Sequence, residues 1–290
     1  RFTTAPGQSI SIDLAGPFQV PTLSGAKYAF IVVDHYSRYV WADFIPNKSS
    51  KSCAMAFERY SQHVTAKPQH VHMDNDRAFM GSFSQLLRSH LIRTTFSCPY
   101  ASFENSIVER RVRSLKEGTR RLMLESGLPQ QFYGRAMHTF ANILNFHPTS
   151  GDPVHSKTTP FKLMFPHRKQ PKLRVFGSLE YALRVPKASR KDYLKYPGSV
   201  GWFVGYSDYS DGYMVYDPQE RTIKVRRDVI FDEHWRYSND SKTWDDLYAQ
   251  IDSDAKICNH RTDSQYDAID GFSESLQSAP ADMSDSMPLA

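Results

Sequence analysis

Three acidic residues occupy positions from which they could act together in chemistry. Asp13 interrupts an apolar, strand-like segment, Asp74 directly follows the segment HVHM, and Glu109 lies near the start of a long helical pattern. A carboxylate among apolar residues is costly to bury unless a cation or a metal ion compensates its charge. Each of the three, taken alone, is more often a surface or capping acid. Together around one sheet they predict a site for a hard cation such as Mg²⁺, which prefers oxygen ligands and bridges phosphate oxygens.

The segment that begins at Glu109 is strongly basic. Residues 109–121 contain six basic and two acidic residues. A stripe at helical spacing consists of Glu109, Arg113, Lys116 and Arg120. One interpretation is an ordinary solvated helix face with internal ion pairs. The excess of positive charge beside a candidate metal site favours the alternative, which is contact with DNA phosphates.

The distribution of charge along the chain also favours a polyanionic partner. Residues 1–235 carry 32 Lys and Arg against 20 Asp and Glu, whereas residues 236–290 carry 4 against 11. A basic body suits a nucleic acid, and the acidic, Ser-rich tail is predicted to be disordered. Three widely spaced cysteines predict neither a disulfide framework nor a zinc site. No apolar run approaches the ~20 residues of a membrane span, so we exclude the disulfide-stapled and membrane-spanning classes.

Periodicity in the first half of the chain predicts an α/β domain. Three closely joined strand-like segments should form an antiparallel meander, after which helices and strands alternate and two long helices follow. The predicted strands are residues 9–14, 28–34, 39–45, 70–73 and 92–96, and the predicted helices are residues 50–63, 83–90, 105–126 and 130–146. The resulting order is β-β-β-α-β-α-β followed by the two helices.

The second half has a different pattern. The Pro- and Lys-rich stretch up to residue 172 is interpreted as a linker that contains one short apolar segment, residues 160–165. Five or six short strand-like runs then follow up to residue 231, with Gly- and Pro-containing turns between them. This spacing predicts a small barrel or sandwich rather than a second unit of alternating strands and helices.

Two further groups of polar residues are weaker candidates for a site. His70 and His72 alternate along one predicted strand but have no cysteine nearby, so a zinc site is not expected. Asp34 and Asp76 are interpreted as acids on the surface or beside the site, not as metal ligands.

Asp13 is followed by Gly16-Pro17, and three later segments of the first half are VVDHYSRYVW, MDNDRAF and PYASFENSIVERRVRSL. They resemble the first catalytic aspartate with its Gly-Pro and the segments DDYSRYTW, SDNGGEF and PYTPQQNGVAERKNRTL of the integrases of copia-type long-terminal-repeat retrotransposons, in the wider group of retroviral integrases and DDE transposases. The resemblance implies that Asp13, Asp74 and Glu109 are the three catalytic carboxylates. Between the last two lie 34 residues, one fewer than is usual in the family.

The second half carries an independent resemblance to the same family. RVFGSLEYALRVP and the later segment GWFVGYSDYSDGYMVYDPQERTIKVRRDVIFDE are similar to the part that follows the catalytic core of copia-type integrases. In that family it forms a small barrel of the Src-homology-3 (SH3) type. Two departures lie near the predicted site: Ser106 replaces a family glycine, and Asp76-Arg77-Ala78 replaces Gly-Gly-Glu. A side chain in place of that glycine is expected to stiffen the adjacent loop.

Taken together, the resemblance implies an RNase H-like core with a mixed five-stranded sheet over residues 1–150. A linker over 151–172, a small SH3-like β-barrel over 173–235 and a disordered acidic tail over 236–290 are then expected. The implied activity is DNA 3′-end processing and strand transfer, with two Mg²⁺ or Mn²⁺ ions held by Asp13, Asp74 and Glu109. No organic cofactor is expected.

The resemblance also implies partners and a location. Double-stranded DNA, both the element ends and the target, would contact the start of the long helix through Asn105, Arg110, Arg113, Lys116 and Arg120. A homo-oligomer without membrane attachment is expected, as a segment of a Pol polyprotein made in the cytoplasm and acting in the nucleus. Two alternatives stay open: a non-catalytic DNA-binding remnant of a transposable element, and an RNase H-type nuclease that cuts without joining.

Overall fold

The computed structural model describes residues 3–97, 106–148, 157–183, 198–207, 210–218 and 220–237 of the 290-residue chain. Asn105 and the acidic tail beyond residue 237 therefore lie outside the described residues. Contacts divide the chain into two units, Arg1–Ser241 and Lys242–Ala290, and everything described belongs to the first. Within the described part, no helix is both long and apolar enough to cross a membrane.

The first half forms a mixed five-stranded sheet in the order β3-β2-β1-β4-β5. The strands are β1 (Ser9–Ala15), β2 (Tyr28–Asp34), β3 (Val40–Ile45), β4 (His70–Met73) and β5 (Arg93–Phe96). β1, β2 and β3 pair antiparallel because short turns join them, whereas β4 and β5 follow helical crossovers and run parallel to β1. Each strand lies within two residues of its predicted position.

Four helices cover this sheet, and a fifth lies in the predicted linker. They are α1 (Ser50–His63), α2 (Ser82–Ser89), α3 (Ser106–Ser126), α4 (Tyr133–Phe146) and α5 (Pro160–Met164). α5 begins with proline and is capped by the Thr159 hydroxyl, which accepts a hydrogen bond from the Lys162 amide. Its Phe161 is buried in the core cluster beneath α1, so this part of the predicted linker packs as part of the core.

Side chains alternate between the two faces of the sheet, and each face has its own helices. Ile10 and Ile12 of β1 pack in the apolar cluster with α1 and α2, while Ala15 and Ile31 pack in the cluster with α3 and α4. α3 lies close to α4 because Gly118 has no side chain: a Cβ there would stand 1.9 Å from the Phe140 ring. This contact fixes the helix that carries Glu109.

The second half forms an all-antiparallel sheet in the order β10-β6-β7-β8-β9. The strands are β6 (Ser178–Leu183), β7 (Gly198–Tyr206), β8 (Tyr213–Asp217), β9 (Thr222–Arg226) and β10 (Val229–Arg236). Its interior is built on Trp202, Phe203 and Val204, which are almost completely buried. Together with the mixed sheet and its helices, this arrangement confirms the predicted fold class for the described part of the chain.

The second sheet packs against the end of the first domain through an apolar cluster. Leu128, Phe132 and Ala136 from the α3–α4 region contact Phe176 and Val204 there. All five side chains are at most 5% exposed. Removing them from water on both sides stabilises the contact, so the two sheets form a continuous body.

Candidate active site

The three predicted carboxylates line one pocket of about 190 Å³. β1 pairs with β4 in parallel so that Ile12 lies opposite Met73. The next residue along β1 is Asp13, and the residue directly after the end of β4 is Asp74. Glu109 reaches the same pocket from the first turn of α3. The other lining residues include Ser11 and His72. Residues 96 positions apart in the sequence are thus brought together by the pairing of two strands and the packing of one helix.

Asp13 lies in the most perturbed electrostatic environment of the three. Burial raises the pKa of its carboxyl above the ordinary value, and the nearby Asp74 carboxylate acts in the same direction. Lys116 opposes this, because its Nζ lies 3.8 Å from Asp13 Oδ2 and lowers the pKa. The pocket therefore combines converging negative charge with one cation on α3.

Asp74 and Asp76, two residues apart, have different partners. Asp74 is exposed, and its Oδ1 accepts a hydrogen bond of 2.9 Å from the Ser97 hydroxyl. Asp76 accepts from the Ala78 amide, so it caps a short 3₁₀ turn, and it forms an ion pair with Lys48. The position of Asp76 agrees with its interpretation as an acid beside the site.

Asp34, in contrast, is neither a surface acid nor part of the pocket. Its side chain is buried and accepts hydrogen bonds from the Gly7 amide and from the amide and hydroxyl of Ser37. Burial raises its pKa, and these hydrogen bonds lower it. Asp34 therefore stabilises the turn between β2 and β3.

The donor chemistry of the pocket fits a divalent cation. Three carboxylates offer only oxygen ligands, which Mg²⁺ and Mn²⁺ prefer. In the part of the chain that the structure describes, no three His, Cys, Asp or Glu side chains are near enough to one another to hold a metal ion as they stand. Glu109 is exposed and would have to turn towards the two aspartates. The assignment of Asp13, Asp74 and Glu109 as metal ligands stays a prediction.

The structure separates the basic residues of α3 into two kinds. Arg110, Arg113, Lys116 and Arg120 are exposed and available to a ligand. Arg111 is partly buried, and its guanidinium donates to the backbone carbonyls of Arg38 and Leu144. Burial and the nearby Arg38 lower the pKa of Arg111 to about 10. The predicted DNA-binding set thus omits Arg111, whose guanidinium has a structural role.

Sequence reasoning missed the hydroxyl groups beside the pocket, and it considered His72 only as a ligand of an unexpected zinc site. Ser11 and His72 line it, and Ser97 binds Asp74 directly. These residue types are common, and none of them marks a site alone. A signal does exist, since polar residues alternate at Ser9 and Ser11 and at His70 and His72 on two predicted strands, and at Thr95 and Ser97 at the end of a third. It becomes informative only once those strands are known to be neighbours.

Comparison with known proteins agrees with this architecture. The Integrase core domain family matches residues 3–102, and the Retroviral polymerase SH3-like domain family matches residues 178–243. The Pol polyprotein of the Nicotiana tabacum transposon TNT 1-94 is 26% identical over 233 residues, which are 76% of this chain and 17% of the polyprotein. That of the Arabidopsis thaliana transposon RE1 is 28% identical over 240 residues, 80% of this chain and 16% of the polyprotein.

Solved integrase structures are among the similar folds. The catalytic core domain of HTLV-2 integrase, solved in complex with magnesium, is 19% identical to this chain, with a TM-score of 0.44. The superposition covers 56% of this chain and 98% of that domain. A chain of the simian T-cell lymphotropic virus intasome is 16% identical, with a TM-score of 0.47 over 78% of each chain.

The chain therefore contains a region that matches the Integrase core domain family and, after it, a region that matches the Retroviral polymerase SH3-like domain family. Its homologues include plant retrotransposon Pol polyproteins, of whose length it spans about a sixth. The core-domain match ends at residue 102, before Glu109.

Proposed function

We propose that this chain is the integrase segment of a copia-type retrotransposon polyprotein, and that it catalyses metal-dependent 3′-end processing and strand transfer of DNA. The observation that carries the proposal is the convergence of Asp13, Asp74 and Glu109 on one pocket. The sequence alone singles out these three residues by type and position. A chance set of acids would not be expected to meet in one pocket of an integrase core domain.

Asp13, Asp74 and Glu109 would hold two Mg²⁺ or Mn²⁺ ions. When bound, two such ions activate the attacking oxygen and stabilise the leaving oxygen of a phosphodiester displacement. A water and then a 3′-hydroxyl would attack the phosphorus in line, so no nucleophilic side chain is required. The protein contributes the placement of the three carboxylates on two adjacent strands and one helix.

The exposed cations of α3 would bind the DNA backbone beside this pocket. Arg110, Arg113, Lys116 and Arg120 carry charge without being buried, and Lys116 links the stripe to the pocket through Asp13. Contacts of this kind position the DNA without reading its sequence. Asn105 is proposed as a further contact from the resemblance alone. Both element ends and target DNA, a homo-oligomeric assembly and action in the nucleus belong to the same proposal.

The substitution Glu109→Gln tests the proposal with little change in shape. Incubation with a labelled double-stranded donor end and Mg²⁺ or Mn²⁺ measures cutting and joining separately. We expect Glu109→Gln to lose at least about 100-fold in both, because a lost ligand removes transition-state stabilisation, while thermal unfolding stays unchanged. Glu117→Gln is the matched control, since Glu117 is also exposed on α3 but does not line the pocket.

Each alternative function has its own result in this assay. Joining that survives in Glu109→Gln would contradict the assignment of the site. Cutting by the wild-type chain without any joining would indicate an RNase H-type nuclease. DNA binding with neither reaction would indicate a non-catalytic remnant.

A further inference from the structure

A line of hydroxyl and imidazole side chains crosses the sheet face that carries Asp13 and Asp74. Residues opposite one another on parallel strands point to the same side, and the register pairs Ser9 with His70, and His72 with Thr95. The line consists of Ser11, His35, Ser9, His70, Thr95, His72 and Ser97, in the order of their contacts. It ends at Asp74.

The half of the line nearest the pocket contains four hydrogen bonds. Ser97 Oγ lies 2.9 Å from Asp74 Oδ1 and 3.2 Å from His72 Nε2. Thr95 Oγ1 lies between two rings, 2.9 Å from His72 Nδ1 and 2.8 Å from His70 Nε2. His70, His72, Thr95 and Ser97 are partly buried, whereas Asp74 and its bond with Ser97 are exposed.

The other half continues to the first strand and to the turn after β2. Ser9 Oγ lies 2.7 Å from His70 Nδ1 and 3.3 Å from His35 Nδ1. The remaining ring nitrogen of His35, Nε2, lies 2.6 Å from Ser11 Oγ. Both nitrogens of each of the three imidazoles are therefore engaged.

When the three imidazoles are neutral, the carboxylate at the end sets the direction of the bonds along the line. Asp74 Oδ1 accepts from the Ser97 hydroxyl, and the Ser97 oxygen can then accept from His72 Nε2–H. His72 Nδ1 consequently accepts from Thr95, whose oxygen accepts from His70 Nε2–H. The same alternation continues through Ser9 to His35. A neutral imidazole has one donor and one acceptor, and burial, as the main cause, lowers the pKa of His35 to about 4.

We propose that Ser97 and His72 are positioning residues that hold the Asp74 carboxylate in the orientation needed to bind a divalent ion. This inference rests on the proposed function. The rest of the line would hold His72 in the tautomer that donates to Ser97. The Ser97 bond uses one lone pair of the carboxylate and leaves the others for a ligand. Removal of a hydrogen-bond partner of a metal-binding side chain typically weakens metal binding by about 10–100-fold.

The distribution of polar and apolar side chains on this sheet face supports a role of the polar line in the site. On the β2–β3 part of this face, the strands present Ala29, Ile31, Val33 and Val40 to α3 and α4. Packing alone would be served by such residues, because apolar side chains need no partners. The polar line lies on the half that borders the pocket, and its last bond is made to a predicted metal ligand.

Binding of Mn²⁺ to the full chain, measured by electron paramagnetic resonance and without DNA, tests the inference independently of activity. We expect Ser97→Ala to weaken binding about 10-fold, because Asp74 loses its fixed orientation. Ser97→Thr keeps a hydroxyl and should restore most of the affinity. Ser89→Ala is the control, since it removes an exposed hydroxyl from α2. His72→Phe should weaken binding, whereas His72→Gln, which keeps an N–H donor, should weaken it less.

The variant Asp74→Asn separates failure of this inference from failure of the proposed function. If Asp74→Asn abolishes binding but Ser97→Ala binds Mn²⁺ like the wild type, the positioning role is overturned and the proposed function stands. Equal weakening by Ser97→Ala and Ser97→Thr, with unchanged thermal unfolding, would also overturn it. If the wild type binds Mn²⁺ no better than Asp74→Asn, the metal site itself fails, and this inference fails with it.

Discussion

The two sheets each contain a strand acid whose pKa is raised by burial, yet the two acids have opposite surroundings. Asp13 on β1 lines an open pocket and has Lys116 at 3.8 Å. Glu180 on β6 is completely buried, and in the described part of the chain neither carboxylate oxygen has a hydrogen-bond partner. Burial raises the pKa of Glu180 to about 8, although Arg226 opposes it. Burial alone therefore does not identify a functional acid; access and partners do.

Asp34 provides an intermediate case that explains the difference. It is as inaccessible as Glu180, but three donors from Gly7 and Ser37 satisfy its oxygens. An ionised carboxylate can be kept inside a protein when donors replace its water, and otherwise it is neutralised by a proton. We infer that Asp13 is available to bind a ligand and that Asp34 stabilises a turn. Glu180 is inferred to be protonated at neutral pH.

The sharpest test of this comparison is to neutralise one acid from each sheet. Asp13→Asn should reduce joining of a labelled DNA end by about 1,000-fold or more, because it removes several kcal/mol of transition-state stabilisation by a bound cation. Glu180→Gln should leave joining within about twofold of the wild type, since the Glu180 carboxyl of the wild type already carries a proton at neutral pH. A Glu180→Gln variant that folds normally but loses joining would show that the second sheet takes part in the reaction.

The titration of Glu180 should be visible in the pH dependence of the free energy of unfolding. Because its folded pKa of about 8 exceeds the ordinary value of 4.5, the folded chain binds more protons than the unfolded chain between these values. The free energy of unfolding of the wild type minus that of Glu180→Gln should therefore be largest below pH 4.5. It should fall by about 1.4 kcal/mol per pH unit up to pH 8.

Urea unfolding of both chains at pH 5, 6, 7 and 8 measures this slope. The difference between wild type and Glu180→Gln cancels the other titrating groups, and it also separates the slope from any constant cost of the buried amide. A difference that does not change with pH would mean that Glu180 is ionised in the folded chain.

The sequence predicted the elements of the core well, because each element depends on neighbours in the chain. The alternation around Asp13 and the helical spacing after Glu109 are local signals, and both elements lie where they were expected. The meeting of these residues at one site was predicted from their placement around one sheet, and the resemblance implies the same three residues. The partners of polar side chains were not predictable: Ser97 and Asp74 are 23 residues apart and meet only because β4 and β5 pair. The isolation of Glu180 likewise depends on the whole second sheet.

The partnered acid of the core should respond to loss of a single donor. Ser37→Ala removes the hydroxyl at 2.7 Å from Asp34 Oδ2, while the two backbone donors stay. We expect a loss of about 1–2 kcal/mol in the free energy of unfolding, because the buried carboxylate loses one donor and the Tyr39 amide loses the acceptor that the same hydroxyl provides. Ser89→Ala, on the surface of α2, should change it by less than about 0.5 kcal/mol. Equal effects of the two variants would mean that Asp34 does not need this donor.

Two arginines of α3, one exposed and one partly buried, should likewise differ in their effects on stability and on DNA binding. Arg120 is exposed, so Arg120→Ala should leave stability nearly unchanged and reduce the slope of log affinity for DNA against log salt by about 1, as expected for one lost phosphate contact. Arg111 donates to the carbonyls of Arg38 and Leu144, so Arg111→Ala should lower stability and leave the salt slope unchanged. Fluorescence anisotropy of labelled DNA at several salt concentrations, combined with thermal unfolding, measures both quantities. If Arg111→Ala changed the slope and Arg120→Ala did not, the basic stripe would lie on the wrong face of the helix, because only solvent-accessible charge can displace counterions from DNA.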